Sequence, residues 1–144
     1  MEIQKSTGYA IRILNYLHNH HFGGEAPTAQ FVSEALGMSY PSFIRVASQL
    51  KQGGLLTSVQ GRHGGYQIAK SGDEISMYDV LRAIEGELHI SPCLKKGYQN
   101  GKNAQCTIHD YFKTVQEELV RVMSDKKISD FGCKHDLCTT KRRA

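Results

Sequence analysis

No aspartate or glutamate occurs between Ala35 and Gly72, although the 144-residue chain carries 14 acidic side chains in all. The gap removes from that interval the repulsion that carboxylates would bring to a polyanion such as DNA. Nor does any apolar run approach the roughly 20 residues of a membrane-spanning helix. Met1-Glu2-Ile3-Gln4-Lys5 lacks the apolar core of a secretory signal, so a cytoplasmic protein without a membrane partner is expected. The four cysteines include no Cys-x-x-Cys pair, which counts against a zinc finger proper. In a reducing cytosol such residues are expected as ligands, redox thiols or passive side chains rather than as structural disulfides. No nucleophile–base–orienter set is visible, and the Gly61–Gly65 loop lacks the Gly-Lys-Ser/Thr ending of a phosphate-cradling loop. An enzyme is therefore not expected.

What is present describes a globular chain. Hydrophobic residues make up 40% and charged ones 22%, enough to bury one core and too apolar for disorder. The formal charge of +4 proves little until the charges are located. A helical stripe of Tyr9, Ile13, Tyr16 and Leu17 predicts a helix over 5–21 that Gly23-Gly24 ends. Thr28 can cap a short helix with Phe31, Val32, Ala35 and Leu36, and Gly37 fits the left-handed position after it. Ser39 can cap the next helix, which tolerates Pro41 in its first turn and buries Phe43, Val46, Ala47 and Leu50 before Gly53-Gly54. Strands are expected at Leu55 to Val59 and Tyr66 to Ala69 around the basic tip Gln60-Gly61-Arg62-His63-Gly64-Gly65.

Ser76 to Asp79 has capping-box form and opens a helix that stops at Gly86. A long polar loop over 87–106 follows, of the kind that is either functional or disordered. A second long helix is expected from Thr107, capped in the Thr-x-x-Asp manner. Its stripe of Ile108, Phe112, Val115, Leu119 and Val122, flanked by Tyr111 and Met123, suits a dimer interface or packing on its own domain. The expected fold is mainly α with a small β-hairpin: a winged helix-turn-helix plus a long C-terminal dimerisation helix. The expected division is a DNA-binding domain over 1–75 and, over 76–144, a linker helix, a cysteine-bearing loop, the dimerisation helix and a short tail.

Four blocks in this order carry a resemblance. They are Thr7-Gly8-Tyr9-Ala10-Ile11-Arg12-Ile13-Leu14, the helix exit Leu50-Lys51-Gln52-Gly53-Gly54-Leu55-Leu56, the wing Gly61-Arg62-His63-Gly64-Gly65-Tyr66, and Ile75-Ser76-Met77-Tyr78-Asp79-Val80-Leu81. Together, over residues 1 to about 125, the chain resembles the Rrf-two family of bacterial regulators, whose members include an iron–sulfur regulator, a nitric-oxide sensor and a cysteine-metabolism regulator. The resemblance implies a homodimeric transcription factor, commonly a repressor, bound to double-stranded DNA.

A recognition helix meets base edges with its first turns, here Ser39, Tyr40, Ser42 and Arg45. Arg45 is the best base reader, because its planar fork matches the two acceptors of guanine. Ser39 reads equally well as a plain helix cap. Family members often place an acid one position before Arg45; Ile44 stands there, so no base preference is carried over. In the wing, glycines remove bulk, Arg62 can enter a narrow minor groove, and Gln60 and His63 can bond phosphate or base edges. Many family members have arginine at the position of Gln60. Thr28 and Gln30 are candidates for backbone contacts.

Cluster-bearing relatives carry three cysteines in the loop before the dimer helix. Cys93 and Cys106 match the outer two, and Cys106-Thr107-Ile108-His109 resembles the Cys-x-x-His ending of the iron–sulfur regulator. Cys93, Cys106 and His109 are therefore candidate ligands of a 2Fe–2S or other iron–sulfur cluster. Gly8 cannot supply the carboxylate that completes some relatives' sites. Cys133, His135 and Cys138 form a compact group that could complete a zinc or cluster site or lie in a frayed end. A thiol redox switch, with Lys95 and Lys96 lowering the pKa of Cys93, stays open. So does a cofactor-free regulator controlled by a protein co-regulator or a small molecule.

Overall fold

Apolar residues at helical spacing leave three short helices no stable arrangement except packing on one another. In the computed structural model, which describes residues 2–98 and 106–132, they do so as α1 (Lys5–Asn19), α2 (Ala29–Ala35) and α3 (Tyr40–Gln52). Ile13, Leu14, Val32, Phe43, Val46 and Leu50 are wholly buried where the three meet. Local chemistry sets the helix ends. Thr28 Oγ1 accepts from the Phe31 amide at 3.1 Å, and Ser39 Oγ from the Ser42 amide at 3.3 Å, each satisfying an amide that the helix itself leaves free. Between them Gly37 takes φ +63°, a left-handed conformation that favours glycine and reverses the chain within a few residues.

The first helix ends at Asn19 rather than continuing to 21, and Gly23-Gly24 lies in the turn beyond it. His20 leaves the helix with an extended backbone and stacks its ring on Tyr16 at 4.1 Å. Its Nδ1 lies 2.9 Å from the Tyr16 carbonyl, so ring packing takes the place of another helical turn. The other end of α1 is capped from a distance. Gln4 offers no side-chain cap, and instead Glu85 accepts from the Gln4 amide at 2.9 Å and from the Thr7 hydroxyl. A carboxylate at a helix N-terminus also meets the positive end of the helix dipole.

The hairpin pairs β1 (Leu56–Val59) with β2 (Gly65–Ile68) in antiparallel register, Leu56 opposite Ile68 and Val59 opposite Gly65. β1 begins one residue later than expected and ends as expected at Val59, whereas β2 begins and ends one residue earlier; β2 is also held along its outer side. The Tyr66 amide donates to the Pro27 carbonyl at 2.9 Å. A Cβ on Gly65 would overlap the Ala26 and Pro27 carbonyls, and one on Gly64 would overlap the Val59 carbonyl. These two glycines are thus required by the wing's own packing, whatever they also allow toward DNA.

Past the wing, α4 (Met77–Glu85) begins with the reciprocal capping box. The Asp79 amide donates to Ser76 Oγ at 3.1 Å and the Ser76 amide to Asp79 Oδ2 at 2.9 Å. A 3-10 turn at Pro92–Leu94 precedes α5 (Thr107–Asp125). Thr107 is not the cap of α5. Its hydrogen bonding starts one residue earlier, with the Asp110 amide donating to the Cys106 carbonyl at 3.2 Å, so Thr107 is already helical and no side chain caps the helix.

After α5 the chain turns back as a strap that the sequence did not announce. The Met77 amide donates to the Lys126 carbonyl at 2.8 Å, Ile128 to Ile75 at 2.9 Å and Ser129 to Gly72 at 3.2 Å. Asn15 Nδ2 donates to the Phe131 carbonyl at 2.6 Å. Ile128 is wholly buried, in one core with α1, α3 and α4, so a single core serves both sides of the boundary expected at 75. No helix among the described residues is long and apolar enough to cross a membrane. Replacing Ile128 by alanine is expected to cost about 2–5 kcal/mol, the usual effect of truncating a fully buried isoleucine. Urea denaturation measures it, and a loss under about 0.5 kcal/mol, the scale of an ordinary surface substitution, would show that the strap does not belong to the core.

Candidate nucleic-acid interface

Packing decides which side of α3 is free. With Phe43, Val46, Ala47 and Leu50 turned inward, Ser42 and Arg45 share the opposite side at a spacing of three, and Tyr40 is 53% exposed at the helix start. Ser39 is occupied twice over: it caps the helix, and its hydroxyl donates to Ser42 Oγ at 2.8 Å. Of the two serines, Ser42 retains a free hydroxyl proton. Ile44 is half-buried against the core.

The wing tip turns at Gly61, φ +112°, with the Gly64 amide donating to the Gly61 carbonyl at 3.0 Å. Gln60, Arg62 and His63 are exposed around it. No ion pair among the described residues engages Arg45 or Arg62. The region free of acid in sequence is not wholly free of it in space, since Glu25 Oε1 stands 3.8 Å from His63 Nδ1. Both side chains are more than two-thirds exposed, so the contact is weak. Gln30 Nε2 donates to Glu34 Oε1 at 3.0 Å on the same helix.

Between α3 and the wing runs an open cleft of about 310 Å³, reached by Thr28, Tyr40, Ile44 and Gln60 and with no carboxylate among its lining residues. It also contains Lys51, which sequence reading did not single out. Lys51 Nζ donates to Ser58 Oγ at 2.7 Å across from the end of α3 to β1. Only the tertiary pairing of helix and hairpin could reveal that contact.

The cysteine-bearing segment packs on α5. The Ile90 amide donates to Gln116 Oε1 at 3.1 Å, and Cys93 Sγ lies 3.2 Å from Ser91 Oγ. Cys93 and Cys106 are free thiols, both half-buried. His109 is half-buried on α5, its Nδ1 buried and without a hydrogen-bond partner among the described residues, a nitrogen able to act as a ligand. Thiolate and imidazole suit iron or zinc. Yet among the described residues no three His, Cys, Asp or Glu side chains come together to hold a metal ion. In this arrangement the three donors do not form a site. Cys133, His135 and Cys138 lie outside the described residues.

Helix α5 has a broad apolar arc, only half of it covered. Phe112, Leu119 and Met123 are half-buried beside Gln116, on the side that meets α4 and the 3-10 turn. Ile108, Tyr111, Val115 and Val122 remain exposed, at 65%, 66%, 38% and 58%. Of the stripe expected at an interface, Phe112 and Leu119 thus serve the chain's own packing in part, and Tyr111 is more open than its flanking place implied. On the polar side Arg121 bonds Glu118 at 2.7 Å, which raises its guanidinium pKa.

Comparison with known proteins places this architecture. Residues 3–133 match the family model described as "Rrf2: Iron-dependent Transcriptional regulator". The HTH-type transcriptional regulator IscR of Erwinia tasmaniensis is 28% identical over 120 residues, covering 83% of this chain and 71% of that protein. IscR of Serratia proteamaculans is 25% identical over 138 residues, covering 95% and 82%. Protein aau3 of Rhizobium meliloti is 28% identical over 97 residues, covering 67% of this chain and 62% of that protein's length. Among solved structures, CymR, the global cysteine regulator of B. subtilis, superposes with a TM-score of 0.69 at 19% identity, over 90% of this chain and 95% of that one. T. potens IscR gives 0.66 at 22% identity, over 90% and 85%. These likenesses bear out the winged-helix fold, and the family description and the names of IscR and CymR are those of regulators rather than enzymes. The chain belongs to the Rrf2 family of transcriptional regulators.

Proposed function

We propose that this regulator acts in the cytoplasm as a homodimer, commonly as a repressor, reading double-stranded DNA with α3 and the wing. The observation that supports this most directly is the cleft between α3 and the wing, which has no carboxylate in its lining, together with exposed Arg45 on α3 and Arg62 in the wing, neither in an ion pair among the described residues. Residues 1–75 carry the reading surface and the remainder carries pairing and control. Arg45, with Ser42 and Tyr40 beside it, reads base edges in the major groove, while Ser39 sets the start of the helix. Arg62 enters the minor groove, with Gln60 and His63 at its mouth and Thr28 near the backbone. Arg62→Ala is expected to weaken binding to all sequences and flatten its salt dependence, whereas Arg45→Ala relaxes sequence choice by about 1–3 kcal/mol at one base pair. Survival of selective binding through both changes in a gel-shift salt titration would show the placement to be wrong.

Pairing is assigned to the exposed apolar side of α5, where Ile108, Tyr111, Val115 and Val122 have no cover within the chain's described residues. Phe112 and Leu119 border that face. A C2 dimer would set two recognition helices against half-sites about 34–36 Å apart. Val115→Asp is expected to give monomers in sedimentation equilibrium and to lower DNA affinity at an unchanged far-ultraviolet spectrum. A variant that still sediments as a dimer would move the interface elsewhere.

Control is assigned to Cys93, Cys106 and His109. The family model is described as that of an iron-dependent regulator, and the Nδ1 of His109, without a hydrogen-bond partner among the described residues, supports a ligand role. Donors scattered in this arrangement would have to be gathered for a cluster to bind, and gathering them would shift α5 and the spacing of the reading heads. Protein purified without air is expected to be coloured, to contain iron, and to lose both on Cys106→Ala. Colourless, iron-free protein would leave control to thiol oxidation, a protein co-regulator or a small molecule.

A further inference from the structure

The cleft between α3 and the wing contains one formally charged side chain, Lys51, among the residues lining it. Lysine is ordinarily a flexible cation, and ordering its stem on binding opposes affinity. Here the ordering is already done. Lys51 Nζ donates one of its three hydrogens to Ser58 Oγ at 2.7 Å, with no ion pair to a carboxylate among the described residues. Ser58, used as an acceptor, keeps its own hydroxyl proton. Two ammonium hydrogens and one hydroxyl hydrogen therefore remain to be given in the same cleft. Tyr40 and Gly61 also line it, and no atom would lie within 4 Å of a Cβ at Gly61.

We propose that Lys51 and Ser58 form a seat for one DNA backbone phosphate, which runs between the recognition helix and the wing. The proposal rests on the DNA-reading function above and adds a contact to it. An anion of tetrahedral oxygens fits a converging ammonium and hydroxyl, and the absence of carboxylates leaves nothing to repel it. A phosphate held there would fix how deep α3 enters the major groove without reading sequence. Lys51 thereby acts as a positioning residue for base readers such as Arg45.

The test uses the full chain and a labelled duplex of arbitrary sequence, titrated by fluorescence anisotropy from about 50 to 200 mM salt. Each phosphate contact neutralised by a cation adds about 0.9 to the slope of log affinity against log salt. Lys51→Gln is expected to reduce that slope by about one for each protomer engaged, with several-fold weaker binding at the low-salt end. Lys51→Arg keeps the slope. Ser58→Ala lowers affinity at an unchanged slope, because the charge stays while its holder is lost. If Lys51→Gln leaves the slope at the wild-type value, or if it and Ser58→Ala change binding identically, Lys51 is only a brace between helix and hairpin and the seat does not exist. If the wild-type chain shows no salt-dependent binding at all, the DNA-reading function fails and takes the seat with it.

Discussion

Phe43 is the point on which the reading surface depends. Its ring is wholly buried on the inner face of α3 and meets the edge of Tyr66 in the wing, centroids 5.3 Å apart and planes at 82°. An edge-to-face pair of this kind adds about 0.5–1.5 kcal/mol to the burial of the rings. Its geometric effect matters more here. It joins α3 to the hairpin through the core, so the angle between the two elements proposed to face DNA is set by packing as well as by the loop that connects them.

A second constraint is close backbone approach. The hairpin cannot lie where it does unless Gly64 and Gly65 lack side chains, because carbonyls of Val59, Ala26 and Pro27 occupy the space. The segment before α2 therefore lies along β2 and brings Thr28 beside the wing. Glu25 arrives by the same route, and a charge distant in sequence becomes a neighbour of His63. The reading surface is thus assembled from three separate stretches, and its electrostatics are a property of the assembly.

The segment from α4 onward is joined to the helix-turn-helix and wing mechanically. The strap after α5 bonds to Ile75, Met77 and Gly72, and Gly72 in turn donates to His18 Nδ1 at 3.2 Å. Glu85, at the end of α4, caps the start of α1. A displacement of α5 would be felt at the base of the wing and at both ends of α1, through contacts that are short and directional. Such coupling is the physical requirement for a signal at one end of the chain to alter affinity at the other.

Much of this was legible in the residue order because it depends on local chemistry. Caps at Thr28, Ser39 and Ser76, the left-handed Gly37, the apolar spacing of α3 and the basic glycine-rich tip act within a few residues of themselves. The family blocks were legible for the same reason. Where the outcome depended on distant partners, local rules did not reach. His20 leaves α1 to stack on Tyr16 and pack near Phe22, and Glu85 rather than any neighbour caps α1. Ile128 completes the core, and Lys51 at the end of α3 finds Ser58 on β1. The sequence by itself determined the helices, the wing and the family, since short-range hydrogen bonding and apolar periodicity suffice for these. Only the tertiary structure decided which side of α5 stays bare, which cations face the cleft and how far apart Cys93, Cys106 and His109 stand, because burial and distance exist only once the chain has packed.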